Sequence, residues 1–377
     1  MKISYITYQS FPAETANSIQ TISNILELVK QGHEVSLVFP DREQNSSNEL
    51  IKLQEYYNFS EEFEVKRLKH LLPFGRINIY NKFFFHISHF VWSFFVSNFG
   101  KNYSSADLIL TRSDWIFYFY SRKKKKIIFE CHTESKLRNI LLKKSLVSQN
   151  SKVIYITKSL QNKYDNLETR SGQGIVLESG FREDFFSESL ERVPNQVIFV
   201  GNLLRFGKSR NIEFLLECFK DKKLDEYNLI VVGGPMSYVE ELRENLLGEQ
   251  KKNILFTGRL NHRETSKILL QSEIGILINS DININSLKHT SPLKYYEYLA
   301  AKLKVVAINF DAHRDLPFSD NINFFDSGNK QQFIDSILNT NNLININPES
   351  IQKYSYRART KQLIAFARLE GLEPPTL

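Results

Sequence analysis

Short apolar runs alternate along the chain with segments in which apolar residues recur at helical spacing. An apolar run at 1–6, a helical stripe from Ile19 to Val29 and a second run at 34–39 form the first such group. Gly32 is suited to end the helix, and Asn17 or Ser18 is suited to begin it. A strand, a helix and a strand in this order predict a parallel sheet that is covered by helices.

The same alternation continues to about residue 310 and divides into two halves. A chain of 377 residues suits two domains, and charged residues with Pro194 interrupt the pattern near 182–195. We therefore predict an α/β protein with two Rossmann-like, doubly wound parallel-sheet domains that face a cleft, at 1–185 and 186–347. The further predicted strands lie near 62–68, 107–113, 127–134, 152–156, 174–177, 196–200, 229–232, 253–256, 274–278 and 305–308.

One predicted helix, at 76–99, is unusually rich in phenylalanine, and residues 41–60 before it have a polar, loop-like composition. We expect the phenylalanines to pack against the sheet. The alternative is a helix that dips into a membrane, but the polar residues of the segment do not separate onto one helical face. The apolar stretch from Phe83 to Val96 is interrupted by histidine and serine and is too short to span a bilayer.

Charge and cysteine content narrow the functional classes. The net charge of +7 suits an anionic ligand or an anionic membrane surface, and it is too diffuse to indicate nucleic-acid binding. The basic run from Arg122 to Lys126 suits a solvated loop, or alternatively contact with anionic lipid headgroups. Cys131 and Cys218 have neither disulfide-framework nor zinc-site spacing, which fits a reducing cytosol, and no signal-peptide pattern begins the sequence.

The segment after residue 290 combines a helix start with candidate chemistry. Ser291 is a suitable N-cap, Pro292 suits the first helical position, and Glu297 lies one turn further on. The N-terminus of a helix favours a phosphate, and a carboxylate that points back towards it suits the two hydroxyls of a ribose. The alternative is an ordinary surface glutamate on a capped helix.

This run, Ser-Pro-Leu-Lys-x-x-Glu-Tyr-Leu-Ala-Ala, resembles the donor-binding motif of the retaining GT-B glycosyltransferases, a family with many bacterial cell-surface sugar transferases. The resemblance implies that Glu297 contacts the nucleotide ribose and that the helix start faces the diphosphate. His289 stands where many members have a second glutamate. The resemblance also implies that a C-terminal helix, at 348–370, crosses back to the first domain.

Other segments are similar to motifs of the same family. Ala16-Asn17-Ser18 resembles its first loop and helix, and Glu130-x-His132 follows a predicted strand at the position where the family places a histidine near the transferred sugar. The resemblance implies that Asn17, Ser18 and Glu130 lie on the acceptor side. On physical grounds alone, Asn17 and Ser18 are more simply a helix cap, and a lone histidine is more often structural.

The loop from Gly201 to Ser209 follows a strand and precedes a helix, as a Walker A loop does. Its two glycines, Gly201 and Gly207, enclose five residues where the Walker spacing has four, which argues against an NTPase. By resemblance, this loop delivers a basic residue to the donor diphosphate. Arg205, Lys208 and Arg210 are the candidates, and the sequence does not rank them.

We therefore expect a glycosyltransferase that moves a sugar from a nucleotide-diphosphate sugar to a polysaccharide or lipid-linked acceptor in the cytoplasm, at the inner face of the membrane. Retention of configuration follows from the resemblance. Because the chain has no Asp-x-Asp pair, we predict that transfer needs neither a metal nor another cofactor. A non-hydrolysing sugar-nucleotide epimerase, for which Glu130 is the one candidate acid or base, and a non-catalytic nucleotide-binding subunit are the alternatives. The expected catalytic residues are His132, Arg210 and Lys208, and the expected donor-binding residues are Glu297, Ser291, Leu293, Lys294, Arg205, Gly201 and Arg259.

Overall fold

The structure is a computed structural model that describes residues 1–76, 82–100, 105–205, 207–246, 253–281, 284–342 and 346–369. The chain forms two compact units. The first comprises Met1–Glu178 together with the segment that starts at Tyr356, and the second comprises Ser179–Ser355. The sequence-predicted boundaries at 185/186 and 347/348 both fall inside the second unit. Hydrogen bonds from the Phe181 amide to the Tyr354 carbonyl (3.2 Å) and from the Ser179 amide to Ser291 Oγ (3.2 Å) hold the start of this unit.

The first unit is built on a parallel sheet with the strand order β3-β2-β1-β4-β5-β6-β7. Successive strand residues face opposite sides, so that Leu108 and Leu110 join one core and Ile109 the other. Its elements are β1 Lys2–Ile6, α1 Ala16–Lys30, β2 Glu34–Pro40, α2 Leu50–Tyr57, β3 Glu64–Leu68, α3 Lys82–Phe99, β4 Leu108–Thr111, α4 Asp114–Arg122, β5 Ile127–Cys131, α5 Lys136–Ser145, β6 Ser151–Tyr155, α6 Lys158–Tyr164 and β7 Gly174–Val176.

The second unit contains a parallel sheet with the order β12-β11-β8-β13-β14-β15 and a short antiparallel hairpin, β9-β10. Val197 and Phe199 of β8 face one core, and Ile198 faces the other. Its elements are β8 Gln196–Val200, β9 Leu204–Arg205, β10 Lys208–Ser209, α7 Ile212–Cys218, β11 Asn228–Val232, α8 Met236–Asn245, β12 Ile254–Gly258, α9 His262–Gln271, β13 Ile274–Leu277, α10 Leu293–Ala300, β14 Lys304–Ile308, α11 Asp311–Arg314, β15 Ile322–Phe325, α12 Lys330–Leu338 and α13 Pro348–Gln352.

The last helix, α14 (Tyr356–Arg368), packs on α1 within the first unit. Its Arg359 is almost fully buried and lies at the centre of a polar network. The guanidinium donates to Glu130 Oε2 (3.1 Å), to Asn24 Oδ1 (2.9 Å) and to the Glu178 carbonyl (2.7 Å). The final helix is therefore tied to the end of β5 by a buried ion pair.

Two local expectations from the sequence are wrong. Residues 41–60 are not loop throughout, because α2 occupies 50–57 and buries Leu53 and Tyr57, which are one helical turn apart. Neither Asn17 nor Ser18 is the cap of α1. Thr15 is the N-cap, and its hydroxyl accepts from the Ser18 amide (3.1 Å).

Helix α3 is oriented opposite to the expectation that its phenylalanines are buried. Four of its polar residues lie on the buried face, together with Trp92 and Val96. Ser88, His89, Ser93 and Ser97 are all buried, whereas six apolar side chains of the helix are exposed. Hydrogen bonds make this arrangement favourable, since His89 Nε2 bonds Ser113 Oγ (2.5 Å) and Ser88 Oγ bonds Tyr8 Oη (2.5 Å). No helix among the described residues is both long and apolar enough to cross a bilayer.

The Glu130–Arg359 pair predicts a large effect of one substitution. Arg359→Ala would leave the Glu130 carboxylate buried without its cationic partner, and we expect it to lower the free energy of unfolding of the first unit by about 3–5 kcal/mol. Lys361→Ala, at an exposed position on the same helix, is the matched control and should change it little. Urea unfolding followed by circular dichroism measures both, and equal stabilities would contradict the structural role of the pair.

Candidate functional site

In the second unit, polar side chains gather beyond the carboxyl ends of β8 and β13. Gly201 ends β8 and Gly233 ends β11, with φ values of 142° and 154°. A Cβ atom at Gly233 would lie 1.9 Å from the Gly201 carbonyl oxygen, so the two turns can approach this closely only without a side chain there. These turns lie at the carboxyl edge of the sheet, which is where ligands of open parallel sheets bind.

Lys294, in the first turn of α10, is a buried cation. It is 9% exposed, and its Nζ donates to the Ile278 carbonyl (3.3 Å) and lies 4.1 Å above the centre of the Phe199 ring. Burial, and then the positive charge of Arg210, hold the pKa of Lys294 well below its usual range. Among the described residues, no carboxylate acts on Lys294 to oppose this shift. A buried ammonium in such a place is stabilised when an anion binds beside it.

Arg210 and His313 complete a basic cluster with Lys294. Arg210 Nε donates to Asn279 Oδ1 (3.1 Å), and Asn211 Nδ2 donates to the Asn279 carbonyl (2.8 Å), so the residue after β13 orients the loop before α7. His313 Nδ1 bonds the Ile308 carbonyl (2.8 Å). Burial, together with the positive charges of Lys294 and Arg210, lowers the pKa of His313 to about 4. His313 is therefore neutral near neutral pH, and the lysine and the arginine are the groups that suit this region to an anion.

The helix start differs in detail from the prediction. Pro292, rather than Ser291, is the N-cap of α10, and no side chain accepts a hydrogen bond from the first turn. Ser291 is buried, and its hydroxyl accepts from the Ser179 amide (3.2 Å) and bonds Tyr296 Oη (3.1 Å). The predicted Ser291 cap is therefore wrong, since that hydroxyl fastens the start of the second unit. The first-turn amides of α10 remain without a side-chain cap and can face a phosphate.

Glu297 is held by a residue that the sequence analysis did not identify. Its Oε1 lies 2.6 Å from Nε2 of His262, the first residue of α9, and Phe185 packs edge-on against that imidazole at 5.1 Å. Glu297 is buried, and His262 is partly exposed. The carboxylate is therefore fixed through one oxygen, while the second oxygen has acceptor capacity for a ligand hydroxyl.

The other predicted donor residues occupy different surroundings. Lys208 is exposed on the β9-β10 hairpin, Arg259 is exposed after β12, and Leu293 is half-buried at the start of α10. A Cβ atom at Gly234 would lie 2.8 Å from Arg259 Nε, so the guanidinium lies against the glycine turn after β11. The side chain of Arg205 lies outside the described residues. Of the two described side chains among the three basic residues that the sequence left unranked, Arg210 acts on Lys294 and Lys208 is exposed on the hairpin.

In the first unit, the Glu-x-His segment forms a separate charged cluster at the end of β5. Glu130 Oε1 accepts from Gln20 Nε2 (3.1 Å) and from His132 Nε2, and its Oε2 pairs with Arg359. Burial alone would raise the pKa of Glu130, but Arg359, His132 and Arg112 together hold it below its usual range. Burial and the charge of Arg112 lower the pKa of His132 to about 3. A neutral His132 that donates from Nε2 presents Nδ1 as an acceptor.

Asn17 and Ser18 lie at the start of α1. The Ser18 side chain is fully buried, and its hydroxyl lies 2.7 Å from the Thr15 carbonyl oxygen, so it closes the local turn. Asn17 is partly exposed, and its backbone carbonyl accepts from Arg112 (3.4 Å), the arginine that lies near Glu130. Asn17 is thus placed at the edge of the Glu130 cluster, whereas Ser18 is part of the helix start.

Sequence reasoning missed His262, His313 and Asn279. Asn279 follows a predicted strand at its carboxyl end and could have been found on that ground. His262 and His313 follow no spacing rule, because their partners come from distant parts of the chain. In the described residues, no group of three or more His, Cys, Asp or Glu side chains is placed to hold a metal ion.

The chain is similar to known proteins in sequence over its second unit and in fold over its whole length. Residues 194–341 match the family model described as glycosyl transferases group 1. A sucrose-phosphate synthase from Thermosynechococcus elongatus is similar in structure over 97% of this chain and 98% of its own, with 13% identity and a TM-score of 0.69. Anabaena HepE in complex with UDP-glucose is similar over 97% and 98%, with 14% identity and a TM-score of 0.64. A Rickettsia africae glycosyltransferase covers 98% and 99%, with 16% identity and a TM-score of 0.65.

The two parallel-sheet units have the GT-B fold. The protein is a glycosyltransferase, and its second unit carries the glycosyl transferases group 1 domain. No curated protein matches the chain by sequence.

The basic cluster predicts that pyrophosphate stabilises the second unit. We expect inorganic pyrophosphate to raise its unfolding temperature, by an amount that corresponds to about 2.7 kcal/mol at a hundred times the dissociation constant. Lys294→Met should lose most of this shift. Without ligand, the variant should be at least as stable as the parent, because the desolvated charge is gone.

Lys267→Met, at an exposed position on α9, is the matched control and should keep the full response. Differential scanning fluorimetry at two salt concentrations measures all three proteins. A full pyrophosphate shift in Lys294→Met would contradict the assignment of the cluster as an anion site.

Proposed function

We propose that this glycosyltransferase moves a sugar from a nucleoside-diphosphate sugar to a glycan or lipid-linked acceptor in the cytoplasm. The buried Lys294, with Arg210 and His313 beside it at the start of α10, is the observation that carries the proposal. A diphosphate is an anion that suits Lys294, Arg210 and an uncapped helix start, and it is the leaving group of this reaction.

In this proposal the basic cluster acts on the leaving group. As the bond between the anomeric carbon and the diphosphate breaks, negative charge grows on the phosphate oxygens. Lys294 and Arg210 are already fixed by the Ile278 carbonyl and by Asn279, so they need no rearrangement when that charge develops. Removing a single preorganised donor from comparable sites raises the barrier by about 3 kcal/mol, which measures how much such a group lowers it.

Glu297 binds the nucleotide ribose in the same proposal. His262 holds one carboxylate oxygen, and the other accepts from the ribose hydroxyls. His262 is then a positioning residue, since it acts through Glu297. Complexes of HepE with UDP and with UDP-glucose make uridine nucleotides the first donors to test.

The sugar and the acceptor are assigned to the first unit. His132 is placed as a contact of the transferred sugar, because its neutral imidazole presents Nδ1 as an acceptor. Asn17, at the edge of the same cluster, is placed on the acceptor side. Glu130 orients His132 in this scheme, and its carboxylate is engaged by Arg359 and Gln20. That engagement disfavours the epimerase alternative, which needs a carboxyl group free to exchange a proton.

Retention of configuration and independence of metal ions belong to the same proposal. The cationic cluster offers the charge stabilisation that a divalent ion provides in other transferases. Retention rests on the resemblance of the donor motif. NMR of the first-formed product identifies its anomer, and turnover with and without a chelator tests the need for a metal.

The function is tested with a panel of labelled nucleotide sugars and glycan or lipid-linked acceptors. We expect nucleoside diphosphate to be released only when acceptor is added. Arg210→Ala should lower kcat by about 100-fold or more while changing KM less, because the charge acts on the leaving group. Lys208→Ala, on the exposed hairpin of the same loop, should retain turnover. Epimer formation without acceptor would overturn the proposal, and equal turnover in the two variants would contradict the assignment of the leaving-group contact to Arg210.

The ribose assignment predicts a graded loss of nucleotide affinity. Glu297→Ala should weaken binding of the nucleoside diphosphate by about 1–3 kcal/mol, because two hydroxyls lose their acceptor. His262→Ala should weaken it less, since the carboxylate remains but is no longer held. Isothermal titration with the nucleoside diphosphate and its 2′,3′-dideoxy analogue provides the control. Both ligands should bind Glu297→Ala alike, and a preserved preference for the ribose form would remove Glu297 from the site.

A further inference from the structure

An exposed row of aromatic and aliphatic side chains runs along α3 in the first unit. Phe83 and Phe99, near its two ends, are 74% and 68% exposed. Ile87, Phe90 and Phe94 lie between them at helical spacing, and Phe95 is exposed beside them. The buried side of the helix carries three serines and a histidine beside Trp92 and Val96, whereas six apolar side chains of the helix are exposed. An amphipathic helix of a globular protein has the opposite arrangement.

Helix α4 extends the apolar surface and adds the residue types that favour a membrane interface. The Phe90 ring packs edge-on against Trp115 (4.8 Å) and at 5.6 Å from Phe119. Phe94 also packs edge-on against Phe119 (5.7 Å), and Tyr118 lies beside Trp115. Tryptophan and tyrosine are enriched where a bilayer meets water, because their rings are apolar and their edges are polar.

A basic strip borders this aromatic surface. Arg122 ends α4, and Lys123 Nζ bonds Asn98 Oδ1 (2.9 Å) near the end of α3, so the run Arg122–Lys126 lies next to the aromatic row. On the neighbouring helix α5, Lys136, Lys143 and Lys144 are exposed, together with Ile140. From Lys82 to Lys126 the sequence holds eight lysine or arginine residues and two aspartates.

We propose that α3 and α4 form a docking surface for an anionic lipid bilayer. The aromatic row enters the interfacial layer of the bilayer, and the basic strip from Arg122 to Lys126 binds the lipid headgroups. Exposed phenylalanines alone would suit any apolar partner. The adjacent strip of positive charge, which no acidic residue of α5 offsets, makes the negative lipid surface the complementary partner. This surface lies in the first unit, and the proposal is independent of the residues assigned to sugar transfer.

Vesicle binding tests this surface. Sedimentation with vesicles of phosphatidylcholine mixed with phosphatidylglycerol should capture the protein, and vesicles of phosphatidylcholine alone should capture much less. Phe90→Ser with Phe94→Ser, and separately Arg122→Gln with Lys124→Gln, should each weaken binding by about tenfold or more. Raising the salt concentration should weaken vesicle binding by the parent protein and should have less effect on binding by the charge variant.

Matched variants elsewhere provide the controls. Ile51→Ser with Tyr56→Ser removes exposed apolar residues from α2 of the same unit, and Lys222→Gln with Lys223→Gln removes exposed charge from the second unit. Both should bind vesicles like the parent. Of the two tryptophans, Trp92 is 1% exposed and Trp115 belongs to the docking surface, so a blue shift of fluorescence on binding reports Trp115.

Three outcomes would overturn the proposal. The first is equal binding to neutral and anionic vesicles, and the second is unchanged binding by both surface variants. The third is self-association of the parent, seen by analytical ultracentrifugation, that Phe90→Ser with Phe94→Ser abolishes while no vesicle binding occurs. That result would assign the surface to a second copy of the chain.

Discussion

A positive charge without a counter-charge is the constraint on which the second unit depends. Lys294 is buried between the end of β13 and the ring of Phe199, and in the part of the chain that the structure describes the charged group that shifts its pKa is another cation, Arg210. Removing an ammonium group from water is unfavourable, and a carbonyl and an aromatic ring compensate only partly. The unit keeps this unfavourable arrangement at the edge of its sheet, where an arriving anion makes it favourable.

The first unit solves the same electrostatic problem in a different way. Its buried carboxylate, Glu130, has Arg359 and Gln20 as direct partners and Arg112 close by. The charge is satisfied within the unit, and the pair connects the last helix to the end of β5. One unit therefore uses buried charge to hold its own helices together, and the other leaves buried charge available to a ligand.

The sequence predicted regular elements well where their hydrophobic period is uninterrupted. The opening strand, helix and strand, and five of the six strands in the second unit's parallel sheet, follow directly from apolar runs, because burial on both faces of a parallel sheet requires such runs. Strand β15 and the β9-β10 hairpin were not predicted. Helix α2 was missed because only Leu53 and Tyr57 mark its buried side. Capping was misjudged at Ser18 and at Ser291, since several residues near each helix start can accept the same hydrogen bond and only tertiary contacts select one.

The site was predictable where its residues lie in one segment. Glu297 and Lys294 lie within one turn of the helix start, so the spacing of Glu297 and the resemblance of the whole segment to a donor-binding motif predicted chemistry there. His262 and His313 reach the same region from other elements, and no spacing in the sequence connects them to it. The choice among Arg205, Lys208 and Arg210 likewise needed the bond from Arg210 to Asn279, which joins loops about seventy residues apart.

The rotation of helix α3 about its long axis is fixed by the contacts of its buried side. Exposed phenylalanine rings in water favour a roll of the helix about its long axis that would bury them. Two kinds of contact oppose that roll, because Trp92 and Val96 are already buried, and because Ser88 and His89 are engaged by Tyr8 and Ser113 on neighbouring segments. The outward bearing of the phenylalanine rings is therefore set by hydrogen bonds of fixed geometry together with the packing of these two apolar side chains, and a leucine in place of Ser88 or His89 would loosen that setting.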